Sequence, residues 1–228
     1  MLQRWRHGRR CLKLAKGCEE PVLRRYLEAC SRLDVDDMAN TPMIAADLEL
    51  TGLRKGRDRI VAMGWTLVDN GRIRVGSNRH LVINADKTVG DSAMVHELLD
   101  SDLAAGEALR TGLDALFRAA TGRVWIFHHA KLDVAFLKNA WTRLSGTAPG
   151  FIVLDTMHIE FRQRRRREVP VKHGDLQLGR IRRAYGLPRY TAHNALNDAF
   201  ATAELMLAIA ASMEPDAPLR LGPHVTYL

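Results

Sequence analysis

A layered α/β fold built on a mixed sheet is the architecture this 228-residue sequence predicts, and three observations predict it. The run IAADLELTGL (44–53) opens as a buried strand. The stretch RIVAMGWTLVDNGRIRVGSNRHLVI (59–83) reads as two strands joined at Asn70 and Gly71, a pair suited to a tight hairpin turn with positive φ. From residue 101 onward, helical and strand patterns alternate, the order expected where helices cover a sheet. The first three strands should therefore form an antiparallel meander, followed by parallel strands and flanked by helices.

The elements follow in order. Residues 20–33 place Val22, Leu23, Tyr26, Leu27, Cys30 and Leu33 at helical spacing, which predicts a docked amphipathic helix. The linker DVDDMANTP leads into the first strand. Between 101 and 122, Leu103, Leu109, Leu113, Leu116, Phe117 and Ala120 keep a helical period, and VWIFHH (124–129) follows as a strand. DVAFLKNAWTRLSG is helical, with Gly146 at its stop. FIVLDT (151–156) is a strand, LQLGRIRRAYGLP a short helix ending at Gly186, and ALNDAFATAELMLAIAASM a long Ala-rich helix.

Composition narrows the function. A 46% hydrophobic, 26% charged chain is an ordinary globular one, and no apolar run approaches the 18 or so residues of a membrane span. The net charge of +8 favours a polyanionic partner. Cys11, Cys18 and Cys30 are odd in number and lack C-x-x-C spacing, so neither a disulfide framework nor a zinc site is indicated, and a reducing cytoplasm fits best. The first 18 residues carry six Lys or Arg and no acid, but charges interrupt them throughout, which argues against a secretory signal while leaving a transit peptide open.

Four carboxylates stand in or beside apolar surroundings: Asp47 and Glu49, Asp133, and Asp198. Side chains i and i+2 of a strand share a face, so Asp47 and Glu49 emerge side by side, where carboxylates are otherwise disfavoured. An Asp at a helix start, as Asp133 and Asp198 are, is singly more often an N-cap than a ligand. Clustered carboxylates repel one another, and a hard divalent cation relieves that repulsion. Magnesium and manganese take oxygen ligands, and two such ions about 4 Å apart clamp both oxygens of a phosphodiester displacement. His193 precedes Asp198 by five residues and falls in the loop entering the last helix, where an imidazole can serve as a base near neutral pH.

Together these residues resemble the DEDD superfamily of 3′-to-5′ exonucleases, in its histidine-bearing branch, related to the proofreading epsilon subunit of bacterial DNA polymerase III. DLELTGL matches D-x-E-x-T-G, HHAKLDVAFL the second motif H-N-A-x-F-D-x-x-F-L, and HNALND the third, H-x-x-x-x-D. VHELLDSDL (95–103) and VLDTMHIEFR are similar to two further family segments, and the likeness spans about residues 43–210.

The resemblance implies a ribonuclease H-like fold and release of nucleoside 5′-monophosphates from a free 3′ end. It implies two Mg2+ or Mn2+ ions held by Asp47, Glu49, Asp133 and Asp198, with Asp47 bridging, and His193 as general base. Leu50, Thr51 and Leu53 would contact the terminal nucleotide, with His129 beside them. His129 stands where the family commonly has Asn and Leu132 where it has Phe, which bears on substrate preference. The chain then divides into a basic helical extension (1–40), an exonuclease domain (41–214) and a short tail (215–228).

The expected substrate is nucleic acid with a free 3′ end, DNA favoured over RNA and single-stranded or frayed ends favoured. An exoribonuclease of the same fold and a catalytically silent nucleic-acid-binding or polymerase-accessory module are the alternatives. Arg180, Arg182, Arg183 and Arg189, which lead to His193, are favoured as phosphate contacts over the basic run 162–167. A freestanding enzyme is favoured over a polymerase-tethered one, while a polymerase or repair partner stays open and the oligomeric state does not follow from the sequence.

Overall fold

Apolar side chains on both faces fix where the first strand lies. β1 (Met43–Leu50) is buried at every position but the half-buried Asp47, as befits a strand covered on both sides. In the computed structural model, which describes residues 2–54, 56–84 and 106–228, it is the third strand of a six-stranded mixed sheet. β2 (Ile60–Asp69) and β3 (Arg72–Val82) complete the expected antiparallel meander. Asn70 and Gly71 join them with φ of 53° and 67°, the backbone that a tight hairpin turn of this hand needs. β4 (Val124–Phe127) and β5 (Ile152–Asp155) add in parallel on the other side of β1. β6 (Val225–Tyr227), inside the segment read as a tail, lies antiparallel to β5 and ends the order β3-β2-β1-β4-β5-β6. Its three residues are too few to carry a readable period.

Among the described residues the helices are α1 (Leu2–Lys16), α2 (Pro21–Arg32), α3 (Leu109–Ala120), α4 (Ala130–Ser145), α5 (Thr156–Arg166), α6 (Leu178–Ala184) and α7 (Ala195–Met213). The expected helix from 101 is described from Leu109 on; residues 101–105 and the whole of VHELLDSDL lie outside the described residues. The strand expected through His129 stops at Phe127. His129 turns left-handed (φ 68°), and α4 starts three residues before Asp133. Asp155 accounts for this early start. Its carboxylate accepts the N–H groups of His129 and Ala130 at 3.1 and 3.0 Å, and also caps α5 through Met157 and His158 at 3.0 and 3.2 Å. One side chain from a neighbouring strand thus satisfies donors of two helix starts.

Below the sheet's centre lies an aromatic cluster. Tyr26, Phe117, Trp125, Trp141 and Phe151 are all essentially buried, with Tyr26 and Phe117 ring centroids 4.7 Å apart. Two of its three polar handles are satisfied internally, Trp125 Nε1 donating to Tyr26 Oη at 2.9 Å and Tyr26 Oη to the Gly150 carbonyl at 2.8 Å, while Trp141 Nε1 has no hydrogen-bond partner among the described residues. Tyr26 belongs to α2, so the N-terminal hairpin shares this core with the strands. No helix among the described residues is long and apolar enough to cross a membrane.

Candidate active site

The side-chain alternation of β1 sends Asp47 and Glu49 to one face. On β2 their partners are Gly64 and Ala62, and the register shifts after Glu49, a bulge at the end of the functional run. Gly64 decides what can lie over that face. A Cβ there would sit 2.1 to 2.3 Å from backbone atoms of Ala195 and Leu196, so the start of α7 rests directly against the sheet. Asp198, one turn into α7, is thereby brought to β1. Carboxylate oxygens of Asp47, Glu49 and Asp198 all fall within 4.8 Å of one another.

Parallel pairing supplies the next group. Ala45 lies opposite Ile126, so the chain leaving β4 emerges beside Asp47 and enters α4. Asp133, 5% exposed, sits in the first turn of that helix and accepts hydrogen bonds from its own N–H and from that of Leu48. It is outside the mutual set of three, yet its charge acts on Asp47.

Burial and mutual repulsion set the electrostatics. Asp47 is held well above the ordinary carboxylate range by burial and then by the charges of Asp133, Asp198 and Glu49. Burial raises Asp133 to about 8 against the pull of its two backbone hydrogen bonds. Asp198 is also raised by burial, opposed by a bond from the Tyr190 hydroxyl and one from the His193 N–H, 2.9 Å from Asp198 Oδ2. The donor set suits a hard cation. All ligand atoms are oxygens, and an octahedral ion with bonds of about 2.0 to 2.1 Å spaces its ligands by roughly 3 to 4 Å.

Two clefts meet at these carboxylates. The larger, about 860 Å³, is lined by Asp47, Asp198, His128, Arg189, Tyr190 and His193 among others. The smaller, about 380 Å³, is lined by Asp47, Glu49, Leu50, Thr51, Leu53 and Leu132, with His193 and Asp198 again at the junction. His193 is exposed, with a left-handed backbone (φ 67°) pinned through its N–H to Asp198, and its ring is left to the cleft.

Leu50, Thr51 and Leu53 thus line a cleft, whereas His129 is exposed and is not among the residues lining either one. Its neighbour His128 faces the larger cleft instead. His128 is held by Thr156 Oγ1 at 2.8 Å and the Leu176 carbonyl at 2.9 Å, and burial lowers its pKa. A neutral ring satisfies both partners by donating from Nε2 to the carbonyl and accepting at Nδ1 from the threonine.

The arginines need a correction. Arg182, expected at phosphate, is 2% exposed and committed to the Ala201 and Pro188 carbonyls at 2.7 and 3.2 Å and to Glu204 at 2.8 Å. It also lies over the Tyr190 ring, 5.0 Å from the centroid. Its charge organises the wall behind Asp198. Arg180 pairs with Asp175, while Arg183 and Arg189 are exposed on the cleft. Sequence reasoning missed Gly64, Asp155 and Tyr190. Gly64 left a local sign, a glycine inside an apolar strand, and Asp155 another, an Asp directly before a helix in VLDTMHIEFR.

A six-stranded mixed sheet flanked by helices, with carboxylates gathered at the ends of β1 and its parallel neighbour, defines a ribonuclease H-like nuclease fold. The RNase T family model, described as Exonuclease, matches residues 44–206. The chain belongs to this exonuclease family, within the DEDD superfamily of 3′-to-5′ exonucleases. It is 26% identical over 171 residues to the 3′-5′ exonuclease DinG of Staphylococcus haemolyticus, a match covering 75% of this chain and 18% of that protein. Among solved structures it is similar to exonuclease I (TM-score 0.64, 14% identity, 77% of this chain and 42% of the other). It is likewise similar to E. coli exonuclease I in complex with a dT13 oligonucleotide (TM-score 0.61, 14% identity, 77% and 42%). The chain therefore spans less than half the length of these relatives.

Proposed function

We propose that this chain is a metal-dependent 3′-to-5′ exonuclease of the histidine-bearing branch, releasing nucleoside 5′-monophosphates from single-stranded or frayed DNA ends. The observation that carries this reading is the convergence of Asp47, Glu49 and Asp198 within 4.8 Å at the junction of two clefts, with His193 on the rim. Asp47, Glu49, Asp133 and Asp198 would hold two Mg2+ or Mn2+ ions. When bound, such ions neutralise charge developing on the phosphodiester oxygens and lower the pKa of a coordinated water.

The remaining work falls to the chain itself. Leu50, Thr51, Leu53 and Leu132 form the walls that would receive the terminal nucleotide, while Arg183 and Arg189 meet the phosphates upstream. The His193 imidazole takes the proton of the attacking water; its backbone bond to Asp198 fixes its distance from the carboxylates. As the water oxygen bonds to phosphorus, the P–O3′ bond to the penultimate nucleotide breaks and that 3′-oxygen takes a proton from solvent, which releases a nucleoside 5′-monophosphate and leaves a chain shorter by one nucleotide with a new 3′-hydroxyl. DNA is preferred on the strength of the oligonucleotide-bound relative.

The deciding experiment is a panel of matched DNA and RNA oligomers, labelled at either end, with magnesium, manganese or EDTA. Stepwise loss from the 3′ end of DNA, abolished by EDTA, is the expected result. Preferential RNA degradation would make it an exoribonuclease, and binding without cleavage would make it a silent module.

A further inference from the structure

We propose that His7, Cys11 and Cys30 form a second metal site, a structural one for zinc, that fastens the N-terminal helical hairpin to the β5–β6 edge of the sheet. His7 and Cys11 are four residues apart on α1 and so share a face, and Cys30 comes from the facing side of α2. All three are buried (8%, 0% and 6% exposed), and their ligand atoms lie within 4.8 Å of one another.

The distances fit the cation. Zn–S bonds of about 2.3 Å and Zn–N bonds of about 2.0 to 2.1 Å at tetrahedral angles place sulfur and nitrogen about 3.5 Å apart. His7 Nε2 is 3.4 Å from Cys11 Sγ and 3.5 Å from Cys30 Sγ. Hydrogen bonding alone fits less well, because a neutral Nε2 offers one lone pair or one proton and cannot serve two sulfurs at full strength. Two thiolates with a neutral imidazole also balance a divalent charge, so the buried site carries no net charge.

The surroundings are closed down on this point. A Cβ at Gly150 would meet Cys11 Sγ at 2.7 Å and His7 Cε1 at 2.9 Å, so only glycine lets the loop before β5 approach. The Gly150 carbonyl, which accepts from Tyr26 Oη at 2.8 Å, is 3.9 Å from Cys30 Sγ. The His7 ring packs 5.3 Å from that of Tyr227 in β6, and a surface depression of about 470 Å³ lies beside His7, lined by Arg6, Arg10 and Tyr227 among others. The site thus joins the first helix, the second helix and the last strand. It is independent of the carboxylates and of the exonuclease reading.

The test uses the full chain carrying Asp47→Ala, so that the carboxylate site is disabled, stripped of metal under reducing conditions and titrated with Co2+. One equivalent should give a thiolate-to-cobalt charge-transfer absorption, be displaced by equimolar Zn2+, and raise the melting temperature. Adding Cys11→Ser or Cys30→Ser should remove the absorption, while Cys18→Ser, whose sulfur lies outside the cluster, should keep it. If the serine variants fail to fold, the titration of the parent chain still decides. No sulfur-type absorption there would overturn the proposal. So would its survival in a folded Cys11→Ser variant.

Discussion

Among the described residues the molecule holds two clusters of potential ligands, and they differ in every property that matters to a cation. Asp47, Glu49 and Asp198 offer hard oxygens on the rim of open clefts. His7, Cys11 and Cys30 offer nitrogen and sulfur, sealed between two helices and a loop. Open hard sites leave positions for substrate, and closed soft sites hold a fold together. The acidic cluster is costly without its ions, because burial and like charges raise Asp47 and Asp133. Charge placed where it destabilises the empty protein signals chemistry; donors placed where they satisfy packing signal architecture.

The contrast is broken most directly at the carboxylates. Asp47→Ala or Asp198→Ala should abolish nucleotide release while leaving the metal-free melting temperature unchanged or higher, since repulsion is relieved. A variant that unfolds would place these residues in the architecture instead. Next in size, His193→Ala should lower turnover by about 10² to 10⁴, the span of a positioned base, with melting little altered.

Gly64→Ala tests how the two halves of the acidic site are held together. Its methyl group would press on the Ala195–Leu196 backbone and lift the start of α7, at a cost of about 1 to 3 kcal/mol by overpacking. Activity should fall much further than that stability loss explains, because Asp198 moves with the helix. Denaturant melts and turnover on the same preparation would separate the two effects.

A pH titration sharpens the comparison again. Asp133 has a folded-state pKa of about 8 against an ordinary carboxylate value near 4 in the unfolded chain. The folded form then binds more protons across that interval, so its stability is full below about pH 4 and declines as pH rises toward about 8. The metal-free melting temperature should follow that course, and Asp133→Asn should flatten it. The smallest effect is expected from Tyr190→Phe. Removing the hydroxyl that donates to Asp198 should raise that carboxyl further and move the acid limb of the rate profile to higher pH. An unmoved limb would make Tyr190 mere packing.

What could be read from the sequence was what adjacent residues encode. The i, i+2 pair Asp47 and Glu49, the Asn70–Gly71 turn and the five-residue step from His193 to Asp198 are local patterns, and each lies where its spacing implied. What could not be read depends on contacts across the fold. Asp155 caps a helix that begins 25 residues before it, and Arg182 looked like a phosphate ligand until Glu204 and two carbonyls claimed it. The three cysteines, with no motif spacing, gave no hint that two of them meet His7 beneath Gly150.

Counting Mn2+ by electron paramagnetic resonance in the wild type and in Asp47→Ala tests the central claim most directly. Oxygen donors favour this ion over the sulfur cluster, so its stoichiometry reports the carboxylates alone. Two ions per wild-type chain and a loss of binding in the variant are predicted. Equal binding by the two proteins would contradict the account.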